Sequence, residues 1–206
     1  MAKKTLTTVL VLAALALIAV WMVGRYNQMV TEEENVETAW GQVENQYQRR
    51  NDLIPQLVGA TEGMAIHESQ YMKDVIEARA KATQTTIDPS NMTEEQLLNF
   101  QKAQGDLSSA LNRLMVSIER YPEVKADQHF MKLMADIEGS ENRLAVARNA
   151  FNEQAKVYNT LIRKFPNNIV AAICGFDKKP YFAAEEGAKT APKVDFKSLR
   201  PNAATE

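Results

Sequence analysis

Two histidines are the residues of this chain best suited to metal chemistry, and the first, His67, is followed directly by Glu68. A His-Glu pair begins the zinc-protease motif, whose second histidine stands four residues after the first. Tyr71 holds that position. Neither histidine has the glutamate three residues earlier that a di-iron bundle needs. With no phosphate-binding loop or nucleophile elbow either, the sequence predicts no metal site, no cofactor and no catalytic residue.

Four charged residues fall where a packed helix normally carries apolar side chains: Arg50, Glu68, Glu141 and Arg148. Three interpretations are open. Their stems could be buried at a seam's edge with the charged heads in water. They could form an interhelical arginine–carboxylate pair that fixes register. They could also line a polar functional site, which nearby amides would complete: Asn142, Asn152 and Asn159.

The densest polar cluster of the chain surrounds Pro55. Arg49, Arg50 and Asp52 stand there within four positions of one another. Charged groups concentrated beside a helix kink are the first place to expect a small-ligand site. The cluster is therefore the leading candidate for ligand binding.

Heptad spacing of apolar residues organises the elements that must position these groups. The predicted helices span about 28–86, with a kink at Pro55, then 93–121 and 127–165. Thr93 and Gln96 fit a capping box at the second start, and Asp127 is a predicted N-cap for the third. Short connections make neighbouring helices antiparallel. The fold class is therefore all-α, an up-down bundle of long helices.

An uncharged apolar segment, residues 5–24, precedes the bundle. About 20 such residues match the thickness of a bilayer, so the segment predicts one transmembrane helix, retained as an anchor. Residues 1–4 contain Lys3 and Lys4, whereas glutamates occupy 32–34 on the other side. The positive-inside rule then places the N-terminus in the cytoplasm and the bundle outside it.

After the third helix comes an apolar tail segment, 166–182. The segment is expected either to fold back onto the bundle or to dock a partner, and its candidate docking residues are Ile169, Val170, Ile173 and Phe176. Three long helices running out, back and out again would leave this segment at the end of the bundle far from the membrane. The single cysteine, Cys174, is expected to be a small buried side chain. Residues 183–206 are expected to form a mobile tail.

Several segments together resemble a known bacterial family. They read QYQRRNDLIPQLV, LSSALNRLMVSIERYPEVKA, ENRLAVARNAFNEQAKVYNTLIRKFP and NNIVAAICGF. From about Tyr26 to Phe182 the chain is similar to LemA-family proteins. The resemblance implies a membrane-tethered antiparallel helical bundle, over about 28–182, at the bacterial cytoplasmic membrane. It implies no mechanism.

The composition of the chain restricts the classes of partner that it is expected to bind. A formal net charge of −2 argues against nucleic acid, which requires clustered basic residues. The expected partners are the lipid bilayer and a second copy or another protein. The leading hypothesis is a non-enzymatic scaffold or assembly module. A membrane-tethered hydrolase or lipid-handling enzyme that uses the polar seam residues is the second hypothesis, and a signalling relay through the Pro55 kink is the third.

Overall fold

A computed structural model describes residues 2–183, with side chains from residue 5 onward. Helices account for nearly all of this part of the chain, and it contains no strand. The helices are α1 (Ala2–Gly59), α2 (Gln70–Gln84), α3 (Glu94–Ser117), α4 (Pro122–Ala126), α5 (Gln128–Arg163) and α6 (Asn167–Cys174). The fold is all-α, as the sequence predicts. The predicted mobile tail lies outside the described residues, apart from Ala183.

The first helix is the main difference from the expected layout. α1 runs through Pro55 as one helix but ends at Gly59, so the prediction that it continues to about residue 86 is wrong. The chain turns at Gly63, whose φ of +80° suits a residue without a side chain. A short 3₁₀ turn, Ala65–Glu68, follows. The heptad pattern passes through this turn without a break, and that continuity conceals the end of the helix.

Local hydrogen bonds hold the turn between α1 and α2. The buried Thr61 hydroxyl donates to the Val58 carbonyl at 2.7 Å and lies 3.0 Å from Nδ1 of His67. Ser69 then caps α2 by accepting from the Met72 amide. His67 therefore stabilises a turn. Within the described residues, no group of three or more His, Cys, Asp or Glu side chains is placed to hold a metal ion.

Capping residues start the later helices where the sequence predicts. The Thr93 side chain accepts from the Gln96 amide at 3.2 Å, and the Gln96 side chain accepts from the Thr93 amide at 3.0 Å. Asp127 accepts from the Phe130 amide at 2.8 Å at the start of α5. Each cap satisfies backbone donors that the first helical turn leaves free.

Contacts between helices give an up-down-up-down order. The Arg79 Nε donates to the Asn51 carbonyl at 3.0 Å, so α2 folds back along α1. α3 runs in the direction of α1 again, and α5 returns. The pairs that fix these directions are Gln104 with Ala82, Phe100 with Trp40, and Phe151 with Trp40. Four long segments, not three, therefore cross the bundle.

This extra reversal moves the apolar tail segment to the opposite end of the bundle from the one predicted. α5 ends beside the start of the bundle, and the Phe176 ring lies 5.5 Å from the Tyr26 ring of α1. The expectation that 166–182 lies at the far end of the bundle from the apolar segment is therefore wrong. In α6, Val170 is buried, whereas Ile169 and Ile173 are exposed. Cys174 is also exposed, which contradicts its predicted burial.

Two hydrophobic cores fill the bundle. The proximal core, nearest the apolar segment, surrounds Trp40 and Phe151. The distal core surrounds Leu107 and Phe130. On α1, α3 and α5, the change from one core to the other occurs at about the same height, and buried polar side chains occupy that height.

Candidate functional site

A layer of polar side chains separates the two cores. It consists of Arg50 from α1, Gln104 and Ser108 from α3, and Glu141 from α5. The Arg50 side chain is fully buried, and its guanidinium donates to all three of the others. The Ser108 hydroxyl lies 2.8 Å from Nη1 of Arg50 and donates to the Glu141 carboxylate at 3.0 Å. The layer thus links three helices around one buried cation.

The physical need for these partners follows from burial. A guanidinium removed from water loses its hydration and must recover it from acceptors and an opposite charge. Glu141 supplies the charge, and its side chain keeps 32% of its surface exposed. The Arg50 guanidinium carbon also lies 5.3 Å from the centre of the Tyr47 ring, a cation–π distance. Three helices must therefore hold one relative height to satisfy Arg50.

A second arginine, Arg148, lies nearer than the polar layer to the end of the bundle that carries the apolar segment. Nε and Nη2 of Arg148 donate to the Tyr47 hydroxyl at 2.9 and 2.6 Å. Burial raises the pKa of Tyr47 above its ordinary value, and the positive charge of Arg148 partly offsets that rise. The neutral phenol is therefore the stable form across the physiological range.

The remaining predicted site residues do not join this layer. Arg49 and Asp52 are exposed, because residues adjacent in a helix point about 100° apart. Glu68 is exposed on the 3₁₀ turn and lies on no helix seam. The cluster beside Pro55 is therefore close in sequence but divided in space, and only Arg50 enters the interior.

A C-terminal strap, residues 177–183, lies along the bundle. Three side-chain amides bind it, and each both donates to and accepts from one backbone unit. The pairs are Asn159 with Lys179 (2.8 and 2.9 Å), Asn152 with Phe182 (3.2 and 2.8 Å) and Gln101 with Ala183 (2.7 and 3.3 Å). Such pairs reproduce the hydrogen bonds that a neighbouring strand would give. Of the amides predicted to complete a network, Asn152 and Asn159 bind this strap, and Asn142 is exposed.

Side chains of the strap anchor it further. Phe182 is buried and stacks on the Trp40 ring, 6.0 Å between centres. The buried Lys179 ammonium lies 2.7 Å from the Glu33 carboxylate and donates to the Ser90 carbonyl at 3.1 Å. Burial, with the Glu33 charge nearby, raises the pKa of Tyr158 beside this pair. No periodic pattern in the sequence marks the strap, although the position of Asn159, on or beside the third seam, is a usable clue.

Within the polar layer, Arg50 binds the hydroxyl, the carboxylate and the side-chain amide of the other three residues. The Ser108–Glu141 contact has the form of a nucleophile and its base, but Arg50 donates to both groups. An arginine bound to both groups holds the hydroxyl and the carboxylate within the hydrogen bonds of the layer. The arrangement therefore fits the second interpretation from the sequence, an ion pair that fixes helix register.

The outer face between α1 and α5 carries two shallow depressions. One, of 570 Å³, lies at the end of the bundle near the apolar segment, and the other, of 520 Å³, lies farther along the same groove. Val157 lines the first and Val146 the second, and they are 48% and 70% exposed. The distal depression also contains the Gln46 side chain, whose Oε1 is buried without a hydrogen-bond partner among the described residues.

Fold and site together define the class of protein. The first part of α1 is long and apolar enough to cross a membrane, with a mean hydropathy of 2.6 and no buried residue in that stretch. A helical bundle with an interior closed by its own side chains follows. The class is thus a membrane-associated helical-bundle protein. Within this class, the chain belongs to the LemA family, which it matches over residues 39–196. This confirms the resemblance noted from the sequence motifs.

Curated relatives agree with this assignment. Magnetosome protein MamQ 1 of Paramagnetospirillum magneticum is 28% identical over 90% of this chain and 74% of its own length. Magnetosome protein MamQ of Magnetospirillum gryphiswaldense is 27% identical over 98% of this chain and 82% of its own length. Protein LemA of Metamycoplasma hominis is 21% identical over 86% of this chain and 77% of its own length. All three are bacterial.

Proposed function

We propose that this protein is a single-pass, non-enzymatic membrane scaffold that associates with a second copy of itself through the α1–α5 face. The observation that carries the proposal is the contrast between interior and surface. The four side chains of the polar layer are bound to one another, whereas Val146 and Val157 remain exposed in one groove. Apolar side chains that line an exposed groove are a common feature of protein contact sites.

The proposed anchor favours a second copy as the occupant. Two copies in one membrane are related by an axis along the membrane normal, so each residue meets residues at its own height. The proximal depression carries two acidic and two basic residues: Glu32, Glu153, Lys156 and Lys164. Opposite charges at one height allow the face to pair with a copy of itself.

Names of the relatives support a non-enzymatic role. Two of them are named after a cellular structure, the magnetosome, and none is named after a reaction. The proposed orientation places the N-terminus in the cytoplasm and the bundle outside, because Lys3 and Lys4 precede the apolar segment and acidic residues follow it. A cysteine introduced at the exposed Glu62, in a Cys174→Ser chain, tests this orientation. It should react with a membrane-impermeant maleimide on intact cells.

Cross-linking in native membranes tests the contact face. Val146→Cys and Val116→Cys are matched changes in a Cys174→Ser chain, because Val116 is 76% exposed but lies on α3. A short bis-maleimide should give a covalent dimer with Val146→Cys and no dimer with Val116→Cys. Monomer alone with both variants, in membranes that hold the full chain, would contradict self-association through this face.

A further inference from the structure

The membrane end of the bundle carries an exposed apolar patch. Phe165, Ile169 and Ile173 are 83%, 51% and 67% exposed. Ile169 and Ile173 stand one helical turn apart on α6, and Phe165 precedes the helix. The opposite face of α6, with Val170 and Ala171, is buried against the bundle. α6 is therefore apolar on both faces, and only one of these faces packs against the rest of the chain.

The position of this patch along α1 identifies what it meets. Trp21 and Met22, in the last turn of the apolar segment, pack against the same proximal core that contains the buried face of α6. One turn later, the Tyr26 ring contacts Phe176, directly after α6. An apolar segment that spans a bilayer places these residues at the boundary between hydrocarbon and headgroups. The patch thus lies where α1 leaves the membrane.

Charges around the patch fit the same surroundings. Between residues 163 and 178 the basic residues are Arg163, Lys164 and Lys178, all exposed, and the one acidic residue is Asp177. Amphipathic helices that lie on membranes combine an apolar face with flanking basic residues that reach lipid phosphates. Three large apolar side chains exposed together at this height favour contact with lipid over contact with water.

We propose that α6 is a second membrane contact, in which Phe165, Ile169 and Ile173 insert into the phospholipid interface of the bilayer that holds α1. The inference rests on the anchor proposed above. It converts a single tether into a two-point attachment that fixes the tilt of the bundle. A fixed tilt keeps the α1–α5 face perpendicular to the membrane, as pairing at equal heights requires.

Cys174, the single cysteine, lies at the end of α6 and is exposed, so it provides a natural probe. The full chain, labelled there with bimane, is reconstituted into nanodiscs with lipids brominated near the headgroup. We expect loss of most of the fluorescence. The control is Glu62→Cys in a Cys174→Ser chain, at the distal turn, where no loss is expected. Equal fluorescence at both positions would overturn the proposal.

A paired substitution tests whether the patch itself makes the contact. Ile169→Glu with Ile173→Glu should restore the bimane fluorescence at Cys174, whereas Ile76→Glu, an exposed isoleucine of α2, should leave it quenched. Quenching that persists in the double variant would contradict insertion. Pyrene excimer emission from labelled Cys174 would show that a second copy covers the patch, and would also overturn the proposal.

Retention of the chain in the membrane after extraction distinguishes the transmembrane anchor of the proposed function from the membrane contact made by α6. Alkaline carbonate extraction of native membranes releases a protein that has no transmembrane anchor. Release of the wild-type chain would refute the anchor in the proposed function. A retained chain with unquenched Cys174 would refute only the contact made by α6.

Discussion

Substitution of each of the two charged residues in the polar layer is predicted to lower the stability of the fold by a different amount. Glu141→Gln leaves the fully buried Arg50 cation without an opposite charge, whereas Arg50→Met leaves a carboxylate that still reaches water. Removal of one partner of a buried pair costs about 3–5 kcal/mol when the remaining charge is enclosed. We expect Glu141→Gln to cost about 3 kcal/mol, at the low end, because Gln104 and Ser108 still accept from Arg50.

Arg50→Met should cost less. The methionine replaces the buried stem, and the main loss is the donor to the Gln104 side-chain oxygen, an unsatisfied acceptor worth about 1–3 kcal/mol. Glu141, 32% exposed, can turn toward solvent. The double variant, Arg50→Met with Glu141→Leu, removes both charges. Its stability should lie within about 2 kcal/mol of wild type, because apolar replacement of a buried pair is often neutral.

Urea unfolding of the full chain in detergent measures these differences. Trp40 is buried in the proximal core and reports its loss by fluorescence, and a Trp21→Phe background removes the signal of the anchor. The reasoning requires the order Glu141→Gln, then Arg50→Met, then the double variant, from most to least destabilised. A larger loss for Arg50→Met than for Glu141→Gln would refute the account of the layer.

Three further predictions test the turn, the strap and the buried phenol. Gly63→Ala should cost about 1–2 kcal/mol because of its φ of +80°, whereas Gly105→Ala, in open space within α3, should gain about 0.5–1 kcal/mol in the same urea assay. Asn159→Ala should release the C-terminal strap and speed tryptic cleavage after Lys178, and Asn168→Ala, exposed on α6, should not. Because the pKa of Tyr47 is raised, its buried neutral phenol contributes its full stabilisation of the fold at pH values below the ordinary pKa of 10.0. That stability should be lost as pH rises above 10, because the unfolded phenol ionises first, and Tyr47→Phe should reduce this loss in alkaline unfolding curves.

Local signals predict much of the fold. Hydropathy alone marks the apolar segment, and capping chemistry marks Thr93 and Asp127 at helix starts. The break at Gly59 escapes the same approach, because a heptad pattern records which residues are apolar and not whether the backbone between them is helical. Ile66 is buried in the 3₁₀ turn as firmly as a helix seam residue would be.

The candidate site shows the same division. Arg50 and Glu141 stand out in the sequence because each interrupts an apolar seam, and the structure brings them together. Arg49 and Asp52 are close to Arg50 in the sequence. Neighbouring residues of a helix point in different directions, however, so only Arg50 faces the interior. Lys179 and Glu33, which are in contact, are separated by most of the sequence, and no local pattern predicts their pairing. Only the assembled fold reveals it.

The location of the polar layer explains why a bundle with two separate cores keeps one register. Sliding α5 by one turn relative to α1 would still bury apolar side chains, because both cores have heptad spacing. It would, however, move Glu141 about 5.4 Å from the fully buried Arg50, which would then lack a counter-charge. The layer therefore selects the alignment in which α5 ends beside the apolar segment. That alignment, in turn, places α6 and its exposed isoleucines at the end of the bundle from which the apolar segment of α1 extends.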